Sequence, residues 1–178
     1  ARRESLLSTL PRPEGMGVNV MGDPAIYDTP MASLPTVSVV LCTWNGATWL
    51  PGLLDSLVEQ SQMPDELIVQ DDCSDDLTCT IIEEFAQRVS FPVLLDQNAT
   101  RLGSTANFER ALERSTGQVV ALADQDDIWY PTKLERLVGV LAEDPILTLV
   151  FSDADLLDVD GAPTGRRLLR GRGKPHPL

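Results

Sequence analysis

Asp124, Gln125, Asp126 and Asp127 place three carboxylates in four consecutive positions, directly after the apolar run of residues 119–123 and before Ile128, Trp129, Tyr130 and Pro131. Acids this close repel one another unless a cation offsets them. Hard oxygen ligands suit Mg²⁺ or Mn²⁺, whose shells are completed by water and substrate phosphates. Capping the helix that opens near Pro131 is the competing duty, since anions favour a helix N-terminus. A cap uses one carboxylate, however, and this cluster holds three.

Two further polar clusters also follow apolar runs. Asp71, Asp72, Cys73, Ser74, Asp75 and Asp76 form the first. Its acids can accept from a nucleobase imide or a ribose hydroxyl, and Ser74 or Asp75 can equally cap the next helix. Thr43, Trp44, Asn45 and Gly46 form the second. A hydroxyl and an indole there can hold a base, or Trp44 can belong to the core and Asn45-Gly46 to an ordinary turn. Arg101 stands among few cations: from residue 36 to 160 there are 23 Asp and Glu against 6 Lys and Arg. A bound diphosphate would use it, as would a neighbouring surface carboxylate.

The elements that position these clusters read from hydrophobic period. Short apolar runs at residues 37–42, 66–70, 92–95, 119–123 and 147–152 predict five strands. Between them, Leu50, Leu53, Leu54, Leu57 and Val58 mark one helix, and Ile81, Ile82, Phe85 and Val89 a second. Phe108, Ala111 and Leu112 mark a third, with Gly117 as its stop, and Leu134, Leu137, Val138 and Leu141 a fourth. Strands alternating with helices predict an α/β domain with a mostly parallel sheet and right-handed crossovers. Ligands bind such sheets beyond the carboxyl ends of the strands, where all three polar clusters lie. The expected organisation is an irregular Pro- and Gly-bearing leader over residues 1–35, one domain over 36–160, and a basic, structureless tail over 161–178.

Several function classes are disfavoured. The formal net charge of -13 excludes a nucleic-acid partner held through its phosphates. Phosphate-cradling GxGxxG and GxxxxGK[ST] loops are absent, as is a GxSxG elbow, and the single histidine is His176 in the tail. Cys42, Cys73 and Cys79 lack metal or disulfide spacing and are expected to be reduced, partly buried thiols. Without an apolar run of about 18 residues or signal-peptide pattern, a cytoplasmic location is expected. Arg166, Arg167, Arg170, Arg172 and Lys174 make the tail the segment able to meet an anionic membrane.

Taken in order and spacing, VSVVLCTWNGATWL, DELIVQDDCSDD, NATRLGSTANFERAL, ALADQDDIWYPTKL and FSDADLLDVDG resemble the family 2 glycosyltransferases of GT-A fold, and DQDDIW is similar to the rhamnosyltransferase-like bacterial members. The resemblance implies a GT-A-like three-layer sandwich, truncated on the acceptor side. It implies that Thr43 and Trp44 contact a nucleotide base, that Asp72 accepts from a uracil or thymine ring, and that Arg101 reaches the diphosphate. Asp124 and Asp126 match the two acids of a DxD motif, the first near the ribose and the second on Mn²⁺ or Mg²⁺. Asp153 and Asp155 match a strand on the acceptor side. The implied reaction is inverting transfer from a UDP- or dTDP-sugar to a saccharide or lipid-linked acceptor in polysaccharide assembly. The base for that step normally follows well beyond the DxD motif, so this chain is expected to be a fragment or degenerate copy that binds donor and metal but transfers sugar poorly alone.

Overall fold

The computed structural model describes residues 34–159 and 161–169. Most of the expected leader and residues 170–178 of the tail therefore lie outside the described residues. The order is β1 (Val37–Thr43), α1 (Leu50–Val58), β2 (Glu66–Asp71), α2 (Thr78–Ala86), β3 (Val93–Gln97), α3 (Ser104–Glu113), β4 (Val119–Asp124), α4 (Lys133–Glu143), β5 (Asp155–Leu157) and β6 (Pro163–Arg167).

The first four strands form one sheet in the order β3-β2-β1-β4, parallel throughout. Parallel neighbours need crossover helices, and right-handedness decides which face each helix covers. From β1 to β3 the chain steps in one direction, so α1 and α2 share a face. From β3 to β4 it reverses, and α3 takes the other face.

The period-two pattern of the central strands serves both layers. Val37, Val39 and Leu41 of β1 join Leu67 and Val69 of β2 against α1, α2 and α4 through Leu53, Leu57, Ile82, Phe85, Leu134 and Val138. The opposite face packs Val40 and Ile68 against Ala111 and Phe108 of α3. The result is the expected α/β sandwich of three layers.

Three expectations about secondary structure change. Gly117 does not stop a helix, since α3 ends at Glu113. A Cβ on Gly117 would lie 2.5 Å from the Ser38 backbone nitrogen, so the residue is small because β4 enters beside β1. Its N–H donates to Ser38 Oγ at 2.7 Å, and the Ser38 hydroxyl donates to Glu66.

Residues 147–152, expected as a fifth strand, make no ladder among the described residues, and Leu147, Leu149 and Phe151 are exposed. An apolar run becomes a strand only where a neighbouring edge receives it in register. Here the chain turns on leaving α4: Ile146 N–H donates to the Asp144 carboxylate at 2.9 Å and Leu147 N–H to the Asp144 carbonyl at 3.0 Å. Finally, part of the expected structureless tail is a strand. β6 pairs antiparallel with β5, and the Arg167 Nε lies 3.1 Å from Asp155.

Cys73 is exposed rather than partly buried, and its φ of 64° lies in the left-handed region. A side chain there costs about 1–2 kcal/mol. Cys73→Gly is expected to stabilise the fold by roughly 0.5–1 kcal/mol, once the greater unfolded-state freedom of glycine is subtracted. The check is a higher urea midpoint at unchanged slope. A lower midpoint would show that the Cys73 Sγ contact to the Ala99 carbonyl, at 3.8 Å, outweighs the strain.

Candidate functional site

Where the sheet reverses its order, β1 and β4 lie side by side with their carboxyl ends together, the crevice in which parallel sheets take their ligands. Cys42 and Asp124 are register partners at that point. This brings the loop after β1 against the Asp124–Asp127 turn.

The loop after β1 is held from below by the second acidic cluster. Asp71 is fully buried. It accepts from the Thr43 hydroxyl at 2.8 Å, the Ser74 N–H at 2.8 Å, the Ser74 hydroxyl, and the Gln97 amide at 3.0 Å. Ser74 in turn accepts from Asn45 N–H at 2.8 Å, and Asp76 from Ala47 N–H at 3.1 Å. Asp75 pairs reciprocally with Asn45, taking its amide at 2.9 Å and donating its own N–H at 3.1 Å. Ser74 and Asp75 therefore brace a neighbouring loop instead of capping α2, whose N-cap is Leu77. The Thr43 hydroxyl proton is likewise engaged internally, and the buried residue serves as part of the cleft wall.

Asp72 has another role. Almost wholly buried, it accepts from Leu102 N–H at 2.7 Å, Gly103 N–H at 2.8 Å and the Asn98 amide at 3.0 Å. Burial works to raise its pKa, but those donors and Arg101 outweigh it and hold the carboxyl below its ordinary value. Asp72 thus fixes the loop before α3 while remaining in the cleft wall. Arg101 extends from that loop, its Nε 3.8 Å from Asp72 and its guanidinium 3.3 Å from the centroid of the Trp44 ring.

The Asp124–Asp127 turn begins where β4 ends, with Asp127 N–H donating to the Asp124 carbonyl at 3.1 Å. The capping alternative fails, because the N-cap of α4 is Thr132 with no side-chain cap bond. Asp127 is raised in pKa by burial first, opposed by Lys133 and reinforced by Asp124 and Asp126. Lys133, itself lowered by burial, lies over the Trp129 ring at 4.1 Å, within electrostatic reach of Asp127 and Asp124. The extra acid thus has a counter-charge from the protein. Asp124 and Asp126 project into the cleft.

Gln125, between them, was not singled out from sequence. Its amide oxygen accepts from Trp44 N–H at 3.0 Å and its NH₂ donates to the Trp44 carbonyl at 3.2 Å. A Cβ on Gly46 would meet that amide oxygen at 2.3 Å, so the glycine makes room for the pairing.

Thr43, Trp44, Asp72, Arg101, Asp124 and Asp126 all line one cleft of about 290 Å³. Cys42, Ser104, Asn107, Phe108 and Gln125 complete its wall. The Cys42 thiol, pushed up to about 12 mainly by burial, adds a neutral surface. Asn107, buried on the α3 face it shares with Ala111, accepts from the Asn98 amide at 2.7 Å and donates to the Gln70 carbonyl at 2.7 Å. A polar residue four positions before Ala111 on that apolar face was its only sequence signal.

Asp153 and Asp155 are not brought into the cleft. Asp155 accepts from the Tyr130 hydroxyl at 2.7 Å and from Arg167, and those bonds hold its pKa below the ordinary value. Arg167 also lies 3.9 Å from Asp153. The Asp155 carboxylate, held in this way, is a poor proton acceptor.

Among the described residues no group of three or more His, Cys, Asp or Glu side chains is arranged to hold a metal. Two cleft carboxylates still suit Mg²⁺ or Mn²⁺ if phosphate oxygens and water supply the remaining ligands, the usual arrangement for Mg²⁺ with nucleotides.

The family profile described as glycosyl transferase family 2 matches residues 38–169. The chain belongs to that family. It is 32% identical over 132 residues to the putative teichuronic acid biosynthesis glycosyltransferase TuaG of Bacillus subtilis, covering 72% of this chain and 50% of the relative. S. aureus TarS 1-349, solved in complex with UDP-GlcNAc, superposes with a TM-score of 0.56 at 29% identity, over 61% of this chain and 31% of that one. The mannosyltransferase PcManGT from Pyrobaculum calidifontis, solved with GDP-Man and Mn²⁺, gives 0.56 at 29% identity, over 64% and 34%. The chain spans about half the length of the curated relatives it matches. Among its described residues no helix is long and apolar enough to cross a membrane.

Proposed function

We propose that this family 2 chain binds the nucleoside diphosphate of a UDP- or dTDP-sugar in the cleft at the β1/β4 crevice. The observation that carries the reading is the convergence of Thr43, Trp44, Asp72, Arg101, Asp124 and Asp126 on that cleft. The base lies against Trp44 and the edge of Asp72, the ribose near Asp124, and the diphosphate toward Asp126 and Arg101. Asp126, with Asp124 beside it, would hold Mn²⁺ or Mg²⁺. Such a cation, when bound, offsets negative charge on a departing diphosphate.

The reading extends to inverting transfer of the sugar to an acceptor hydroxyl, on a saccharide or lipid-linked acceptor, in cytoplasmic polysaccharide or glycoconjugate synthesis. The UDP-GlcNAc complex of TarS and the GDP-Man complex of PcManGT support a nucleoside-diphosphate sugar as the donor class. For the chain by itself, Asp153 and Asp155 favour binding without turnover, because both are tied to Arg167 outside the cleft. The basic residues from Arg166 onward would carry any contact with an anionic membrane surface.

Calorimetric titration of UDP with and without Mn²⁺ tests the site. Since the two cleft carboxylates leave room for phosphate oxygens in the metal's shell, UDP and Mn²⁺ are expected to strengthen one another's binding, by the same factor in both directions. Mn²⁺ binding indifferent to UDP would point instead to a plain cation module. Steady sugar transfer by the purified chain would overturn the binding-only part of the reading.

A further inference from the structure

We propose that Arg101 is a specificity residue: it covers the cleft-side face of Trp44 until a diphosphate draws it away, so that the cleft favours nucleoside diphosphates over free nucleosides. The proposal rests on the reading of this cleft as a nucleotide site. With the guanidinium 3.3 Å from the ring centroid, no base fits between the two. Both residues line the cleft, so their stacking lies at its wall.

The mountings of the two side chains differ. The Trp44 backbone is held at both N–H and carbonyl by Gln125. The loop of Arg101 is also fixed, through Leu102 and Gly103 to Asp72. The Arg101 side chain is 56% exposed, and among the described residues a 3.8 Å approach to Asp72 accompanies its stacking on Trp44. Side-chain rotation of Arg101 is therefore the movement that frees the ring.

Charge decides which ligand can cause it. Arg101 is the cation among the residues lining a cleft whose other charged groups are Asp72, Asp124 and Asp126. A diphosphate replaces the lost contacts with charge-assisted hydrogen bonds to the guanidinium. A nucleoside must displace Arg101 without that compensation.

The test compares uridine and UDP binding, both without metal, for the wild type and Arg101→Ala, with Arg101→Lys as a charge-preserving control. Arg101→Ala is expected to bind uridine roughly two- to fivefold more tightly, the equivalent of an exposed cation–π contact. It should bind UDP about tenfold more weakly, as expected for loss of a charged hydrogen-bond donor. Arg101→Lys should retain more of the UDP affinity. In a Trp49→Phe background, where Trp129 is buried, acrylamide quenching of ligand-free fluorescence should rise in Arg101→Ala as Trp44 is uncovered. Uridine and UDP affinities shifting in the same direction, or unchanged quenching, overturn the proposal while leaving the nucleotide site intact. A wild type that binds no UDP defeats the site reading and the proposal together.

Discussion

Asp126→Asn is expected to weaken UDP binding in the presence of Mn²⁺ by at least ten- to a hundredfold, the loss that even outer partners of a metal site can produce. Without metal the same substitution should leave UDP affinity unchanged or slightly higher, because a carboxylate that repels the diphosphate has been neutralised. Asparagine keeps the size of the side chain and one oxygen, so the cleft shape is preserved. Asp127→Asn is the control: Asp127 has the Lys133 charge within reach, and its loss should affect the Mn²⁺-supported affinity far less. An equal loss with and without Mn²⁺ for Asp126→Asn would remove the metal from the reading.

Asp71→Ala should produce the largest loss of stability among the acids of residues 71–76, on the order of 3 kcal/mol. The carboxylate is fully buried, and its removal leaves the buried Thr43 hydroxyl without its acceptor and takes a partner from the half-buried Ser74 N–H and from the Gln97 amide. Against a total of about 5–15 kcal/mol for a natural domain this is a large fraction, equivalent to a melting shift of roughly 6–12 °C. Asp75→Ala removes an exposed carboxylate paired with Asn45 and should cost under about 1 kcal/mol. Equal melting shifts for the two variants would show that Asp71 is not the brace of the loop after β1. UDP binding should fall in Asp71→Ala even below its melting temperature, since Thr43 and Trp44 lose their support.

Hydrophobic period was a good guide to the elements that bury a face. VSVVLC and ELIVQ are central strands covered on both sides, and their apolar character follows directly from that position. LTLVFS has the same composition but no strand pairing, because pairing depends on an available neighbour and on the turn set by Asp144. PTGRR, polar and basic, became a strand because β5 offered a partner. In both cases the deciding contact was absent from local sequence.

The acidic clusters divide in a similar way. DDCSDD and DQDD look equivalent as charge, yet Asp71, Asp75 and Asp76 are consumed by hydrogen bonds to a neighbouring loop, whereas Asp124 and Asp126 remain directed into the cleft. Residue type gave no means of separating them, because a carboxylate's role depends on which donors the fold delivers to it.

Sequence by itself determined the parallel α/β scheme, the family, and the presence of two cleft acids at the end of an apolar strand, which the fold places at the sheet edge. These follow from period, order and composition, which are properties of the chain read along its length. Tertiary structure alone decided that Gln125 ties the acids to Trp44, that Arg101 covers the Trp44 ring, and that Asp153 and Asp155 are turned away to Arg167. Each of these contacts joins separate elements, brought together by packing that the spacing of residues does not encode. The physical reason is that a polar side chain acquires its role from the partners that burial leaves within hydrogen-bond reach.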